Sequence, residues 1–244
     1  MDLSPLPVED GFRLRGQSVT RLETFVDAAF AFSLTLLVIF YNELPDTVAE
    51  LREALRRVPT FAACFALLAL FWTAHNRWSR RFGLEDAKST VLSLSFVLVV
   101  LVYVYPLRMV TSSGLSLLTH GFVPSELGID HAHWMLDLQT AFMVYGAGFA
   151  ALSWILWRLN AHALRRADFL ELDAGERFRT QSEIGAYALM TASAAASVVL
   201  SMFLLVAPPW FLNNLTVGGP MWLYSIMGFG LWAYRARRDR MARA

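Results

Sequence analysis

The sequence predicts an all-α, polytopic membrane protein: a single domain over residues 1–244 with six transmembrane helices and both termini cytoplasmic. Three observations lead there. Of the 244 residues 56% are hydrophobic and 8 are Trp, more apolar surface than a soluble fold of this length buries. Six apolar runs are of a length to cross a hydrocarbon layer of about 30 Å, which takes roughly 20 residues at about 1.5 Å each. The 21 Lys and Arg are concentrated on alternate connections, the asymmetry that marks the cytoplasmic side.

The runs lie at about 25–41, 59–78, 90–110, 134–157, 184–207 and 218–234. Their Ala, Leu, Phe and Gly content, without period-two alternation, excludes strands of an outer-membrane barrel. Arg13, Arg15 and Arg21 precede the first run, and Arg77, Arg80, Arg81 and Lys88 follow the second. Arg158, Arg165, Arg166, Arg177 and Arg179 follow the fourth, and Arg235, Arg237, Arg238, Arg240 and Arg243 end the chain. The opposite connections hold only Arg52, Arg56 and Arg57, with Arg108 at the far end of the third run. The sixth run is short unless it starts near Leu215 or its arginines snorkel to the interface.

The first run is retained as a span and not as a signal peptide, because its small-residue triplet Ala29–Ala31 opens the apolar stretch and no cleavage pattern closes it. The lone Cys64 excludes internal disulfides and packs as a small hydrophobe. The connections 111–133 and 158–183 are too short for a second core; the latter mixes both charge signs and reads as a solvated helical extension and turn. A basic C-terminal tail after a span is a topology and headgroup signal, so nucleic-acid binding is not expected.

Catalytic and metal signals are thin. Carboxylates are not paired deep in any run, and neither a nucleophile elbow nor a catalytic context for Cys64 is present, so an enzyme is not expected. His131 and His133, with His120, Glu126 and Asp130 nearby, lack the spacing of a zinc site, and no metal or cofactor is expected. Leu215–Gly219, LTVGG, echoes a carbonyl selectivity filter, but the stretch between Pro208 and Pro220 leaves no room for a pore helix and reads as a loop.

The informative stretch is RLETFVDAAFAFSLTLLV from Arg21. On a helix Phe32, Thr35, Leu36 and Ile39 fall along one stripe, continued toward the cytoplasm by Phe25 and Ala28, with Thr35 as its polar step. Glu23 and Asp27 share another face, where each can meet N-terminal backbone amides or a neighbouring cation. An unpaired carboxylate one turn inside a span costs several kcal/mol, so Asp27 needs partners or water. Two readings stay open on these grounds: an anchor at headgroup level, or the charged entrance of a conduit.

Arg21-x-x-x-Phe25-x-Asp27 resembles the R-x-x-x-F-S-D signature on the first span of the transmembrane protein 175 family, potassium channels of bacteria, archaea and animal lysosomes. The following FVDAAFAFSLTLLV, Phe71–Trp78 with Trp72 and His75, and VYPLR at Val104–Arg108 are similar to the family's first three spans, whereas the last three runs match by hydropathy and length. Val26 stands where the family has Ser. The resemblance implies a homotetramer in the cell membrane, potassium ions as its cargo, and a pore lined by the first span of each subunit.

It also implies hydrophobic constrictions five, nine and twelve positions after the motif Asp, here Phe32, Leu36 and Ile39. Phe32 departs from the family's aliphatic residue; a ring of phenyl groups would either plug the path or favour a cation through the ring faces. Arg21 and Asp27 would tie the first span to its neighbours, and Trp72 and His75 would supply packing and hydrogen bonds; a structural role for His75 is expected ahead of proton sensing. The expectation is therefore a potassium-permeable cation channel. A non-conducting scaffold or sensor of the same fold is the alternative, to which Val26 and Phe32 point, and a proton-coupled transporter lacks the ionisable residues near the midplane that it would need.

Overall fold

Helical backbone runs beyond most of the predicted apolar limits, because good helix formers and caps continue where the hydrocarbon stops. The computed structural model describes residues 6–39, 46–128 and 132–243. A small antiparallel hairpin, β1 (Val8–Glu9) and β2 (Phe12–Arg13), precedes α1 (Arg21–Ile39), α2 (Val48–Arg56) and α3 (Val58–Phe82). Then come α4 (Ala87–Leu118), α5 (Trp134–Arg165), α6 (Ala174–Val206), a short 3₁₀ turn Pro209–Phe211, α7 (Asn214–Val217) and α8 (Gly219–Arg243).

Among the described residues four helical stretches, 48–82, 87–118, 134–165 and 174–206, are long and apolar enough to cross a membrane. The predicted first and sixth runs fall on α1 and α8, which are outside that set. Arg21, Glu23 and Asp27 charge the opening turns of α1, and RARRDRMAR closes α8, which dilutes both. The external connection expected at 111–133 is shorter than the sequence suggests, since α4 continues to Leu118 through Pro106. The segment 158–183 is a helical extension of α5 followed by a turn into α6, closed by a capping box between Asp173 and Glu176, but it is not solvated throughout as expected: Ala163, Ala167, Leu172 and Glu176 are buried against the bundle. LTVGG is not a loop: Asn214–Val217 form one helical turn capped by Asn213, and the Val217 carbonyl accepts from Gln139 Nε2 at 3.0 Å. The hairpin and the amphipathic α2 had no counterpart in the apolar pattern.

Packing follows chain order in part. α1 lies against α3 and α4, α4 against α5, α5 against α6, and α6 against α8. The core is aromatic along α3 and α4: Phe71 meets Phe96 and Phe149 edge to face at 6.4 and 5.4 Å, and Phe30 of α1 reaches Phe96 at 5.7 Å. Gly148 lets the Tyr103 ring approach α5, since a Cβ there would stand 2.4 Å from it. Helix association in lipid depends on such close packing, because lipid tails are as apolar as the helices.

At the end expected to face the cytoplasm the N-terminal segment is strapped onto the bundle. Gly16 N–H donates to the Arg80 carbonyl at 3.0 Å, and a Cβ on Gly16 would lie 2.7 Å from the Ser79 oxygen. Gly83 caps α3 in the left-handed region at φ 56°, where glycine has no steric penalty. Arg13 and Arg15 reach the buried Glu176 carboxylate at 3.0 and 2.8 Å. Phe12, fully buried, stands edge-on to Phe82 at 5.4 Å.

Asp86 joins α4 to α5. It caps α4 through the Ser89 amide at 2.9 Å, accepts from His162 Nε2–H at 2.7 Å and faces Arg166 at 3.3 Å. Desolvation pushes its carboxyl up, but the Ser89 amide and the His162 hydrogen bond outweigh it and hold the carboxyl down at about 2. A carboxylate whose folded pKa is depressed contributes stability above its unfolded pKa and loses it as pH falls toward the folded one. Asp86→Asn, which keeps the cap and removes the charge, should therefore lower stability by about 2 kcal/mol at neutral pH. Melting in detergent from pH 5 to 2 should show the gap between parent and variant closing; a pH-independent gap would refute this role for the charge.

Candidate functional site: the open face of α1

α1 starts at a sequence-encoded cap. Thr20 Oγ1 accepts from the Glu23 amide at 3.1 Å, and the Glu23 carboxylate accepts from the Thr20 amide at 2.9 Å, the reciprocal pattern of a T-x-x-E box. Glu23 is buried, and its carboxylate sits where the helix dipole favours it. Beyond the cap the helix has two faces. Val26, Phe30, Ser33 and Leu37, spaced three and four apart, are buried against α3 and α4.

Phe25, Ala28, Phe32 and Thr35 occupy the other face and are exposed, Phe32 by 56%. Leu36 sits at the edge of this stripe, half-buried and packed on the core. Ile39 takes the next backbone position on the stripe, but its side chain is outside the described residues. A helix that covers one face inside the chain and leaves aromatic and aliphatic groups uncovered on the other has a surface to give to lipid or to another subunit. Thr35 Oγ1 donates to the Ala31 carbonyl at 3.0 Å, so its hydroxyl is satisfied within the helix.

The polar residues of α1 and α3 are joined in pairs. Trp72 Nε1–H donates to Asp27 Oδ1 at 2.7 Å, which gives the carboxylate a partner on α3. His75, buried, is hydrogen-bonded through Nε2 to Ser93 Oγ of α4 at 2.9 Å and stacks on Phe96 at 5.3 Å. Arg21 is exposed at the helix start and has no ion-pair partner among the described residues. Val26 is 1% exposed and belongs to the buried apolar cluster, so a hydrocarbon side chain packs at the position where the family signature has a hydroxyl. Trp72→Phe keeps an aromatic ring and removes the donor to a carboxylate; it should cost about 1 kcal/mol, read as a lower melting temperature, and Asp27→Asn should not add to it in the double variant.

The other end of α1 is held by a residue that the spacing argument passed over. Arg108 of α4, 9% exposed at its side chain, donates Nη1 to the Leu37 carbonyl at 3.1 Å and Nη2 to Glu126 Oε1 at 2.8 Å, with Nε also on Glu126. A cation near the C-terminal carbonyls of a helix suits the dipole. The signal was present in the sequence as one arginine at the far end of an apolar run with a glutamate in the segment after it, but nothing linear relates either to Leu37. His131 and Asp130 lie outside the described residues, and no three His, Cys, Asp or Glu side chains among the described residues come together as a metal site.

Residues 21–106, which contain α1, α3 and most of α4, match the family described as endosomal/lysosomal potassium channel TMEM175. A protein of Marivirga tractuosa named potassium channel is 32% identical over 201 residues, covering 82% of this chain and 79% of that one. The chain belongs to the TMEM175 family. A crystal structure of a variant of the potassium channel MtTMEM175, in complex with a nanobody-MBP fusion protein, is similar over 96% of this chain and 100% of its own, with a TM-score of 0.77 and 28% identity. The TMEM175 chain described here is accordingly a multi-pass membrane protein of the ion-channel class, and the matched region is the one that carries the open face, the Asp27–Trp72 pair and the His75–Ser93 pair.

Proposed function

We propose that four copies of this chain form a potassium-permeable cation channel in the cell membrane, each contributing α1 to a central pore. The carrying observation is the face of α1 that the chain leaves uncovered, Phe25, Ala28, Phe32 and Thr35, on a helix whose opposite face is fully used. In this reading the single domain spans six times with both termini cytoplasmic; Phe32, Leu36 and Ile39 form the constriction and Thr35 is the polar step between rings. Arg21 and Asp27 sit at the cytoplasmic mouth, with Asp27 braced by Trp72. Selectivity arises without a carbonyl cage, because sodium sheds its hydration at greater cost than potassium in a hydrophobic bottleneck.

Single cysteines at Phe32 and Thr35 in a Cys64→Ser background should cross-link between subunits in membranes, and purified protein should have the mass of a tetramer. A monomer in mild detergent that does not cross-link in membranes would remove the central-pore geometry. The bulk of Phe32 favours one competing reading, a scaffold of the same fold whose path is closed; in that case the tetramer forms, and neither potassium nor sodium passes through parent or trimmed protein in liposomes.

A further inference from the structure

Away from α1, the N-terminal end of α6 and the C-terminal end of α8 line an open cavity of about 460 Å³ together with Arg81 of α3. Arginine dominates its wall: Arg81, Arg179, Arg235 and Arg238 face two carboxylates, Glu183 and Asp239. Their charges are not equally committed. Glu183 is approached by Arg77 at 3.6 Å and Arg81 at 3.8 Å, so its charge is largely answered from α3.

Arg238 is held rigid. It donates Nε to Ser182 Oγ at 2.7 Å and Nη2 to the Phe178 carbonyl at 2.9 Å, and its guanidinium lies 3.9 Å from the Phe178 ring centroid. Neither bond uses Nη1. Arg179 and Arg235, both exposed, make no hydrogen bond or ion pair among the described residues, and Asp239 is the one carboxylate on α8 that opposes them. Like charges gathered at a cavity without matching carboxylates repel one another, a cost that an anion removes. The planar guanidinium fork suits phosphate oxygens in particular.

We propose that this cavity binds a phosphate group, with Arg179 and Arg235 as the main cationic contacts and Arg238 as a pre-positioned third donor. The lining residues fall at or just outside the predicted limits of the fifth and sixth spans, the level of lipid headgroups. The phosphate can therefore belong to an anionic glycerophospholipid or to a free ion, and either source is read by binding alone, independently of conduction.

The test uses full-length protein in detergent and compares the parent with Arg179→Gln/Arg235→Gln and with Arg237→Gln/Arg240→Gln, a control pair on the same tail outside the cavity. Native mass spectrometry with phosphatidylglycerol or phosphatidylcholine reads the lipid arm, and a melting titration with inorganic phosphate reads the free-ion arm. The expected result is saturable binding to the parent that weakens by about thirtyfold in the cavity pair and is unchanged in the control pair. Phosphatidylglycerol adducts without a response to inorganic phosphate assign a lipid headgroup; a response to inorganic phosphate alone assigns a free anion. Equal affinity in all the proteins, or an equal loss in both double variants, overturns the proposal.

Discussion

Replacing Phe32 by alanine is expected to raise potassium flux through liposome-reconstituted protein by about tenfold, equivalent to about 1.4 kcal/mol removed from the permeation barrier. The argument is geometric. Phe32 belongs to the exposed face of α1 and makes none of the ring contacts that join Phe30, Phe71 and Phe96 in the core. Its removal therefore costs the single chain little stability, while in a central ring it would remove the bulkiest side chains of the three proposed constriction positions. Hydrophobic constrictions oppose ions by excluding water, so widening one lowers the cost of keeping hydration. Sodium flux should rise proportionally more than potassium flux, because relief of dehydration favours the more strongly hydrated ion. The control is Phe30→Ala, from the buried face, which should lower melting by a cavity cost of about 3 kcal/mol without the selective gain in sodium flux. Unchanged flux after Phe32→Ala, with the tetramer intact, would place the barrier elsewhere.

The second large effect is expected at Arg108. Arg108→Met leaves the Glu126 carboxylate without its principal partner and the Leu37 carbonyl without its donor. Loss of one member of a largely buried ion pair costs about 3–5 kcal/mol, because the desolvated charge left behind is uncompensated. For a chain of this length that corresponds to a melting temperature lower by roughly 10 °C. Glu126→Leu added to Arg108→Met removes the stranded charge and should restore most of the loss, although Arg57 then also loses Glu126 as a neighbour. A double variant as unstable as Arg108→Met would show that Arg108 acts through packing and not through the pair. Because Leu37 lies at the end of α1, the same variants should make potassium flux noisier or smaller even where the fold survives.

What was legible in the sequence was legible because it is periodic or local. The long helices follow from the apolar runs; the caps that fix where they begin or end, Thr20 with Glu23, Asp86 before α4, Asp173 with Glu176 before α6, and Gly83 after α3, are local but escape a reading based on hydropathy. The stripe from Phe25 to Thr35 follows from helical spacing, which shows that these residues share a face but not whether that face is covered. The extent of α4 beyond the apolar run was not legible, since Ser and Gly residues after Val110 read as a loop when no neighbour is known.

Pairings across the bundle needed the tertiary structure. Spacing indicates that Asp27 requires a partner but not that Trp72, 45 residues away, supplies the N–H, and it offers no route from Arg108 to Leu37, 71 residues back. Nor does it indicate that Arg13 and Arg15, read as topology signals, converge on a buried Glu176 on the far side of the chain. The sequence by itself determined the membrane class, the long apolar helices, the first-span signature and the stripe along α1, because these depend on composition and on residues within a turn or two of one another. Only the tertiary structure decided which charges are braced, which face of α1 remains open and which arginines are left without partners, because those depend on helix packing that brings distant residues within hydrogen-bonding distance.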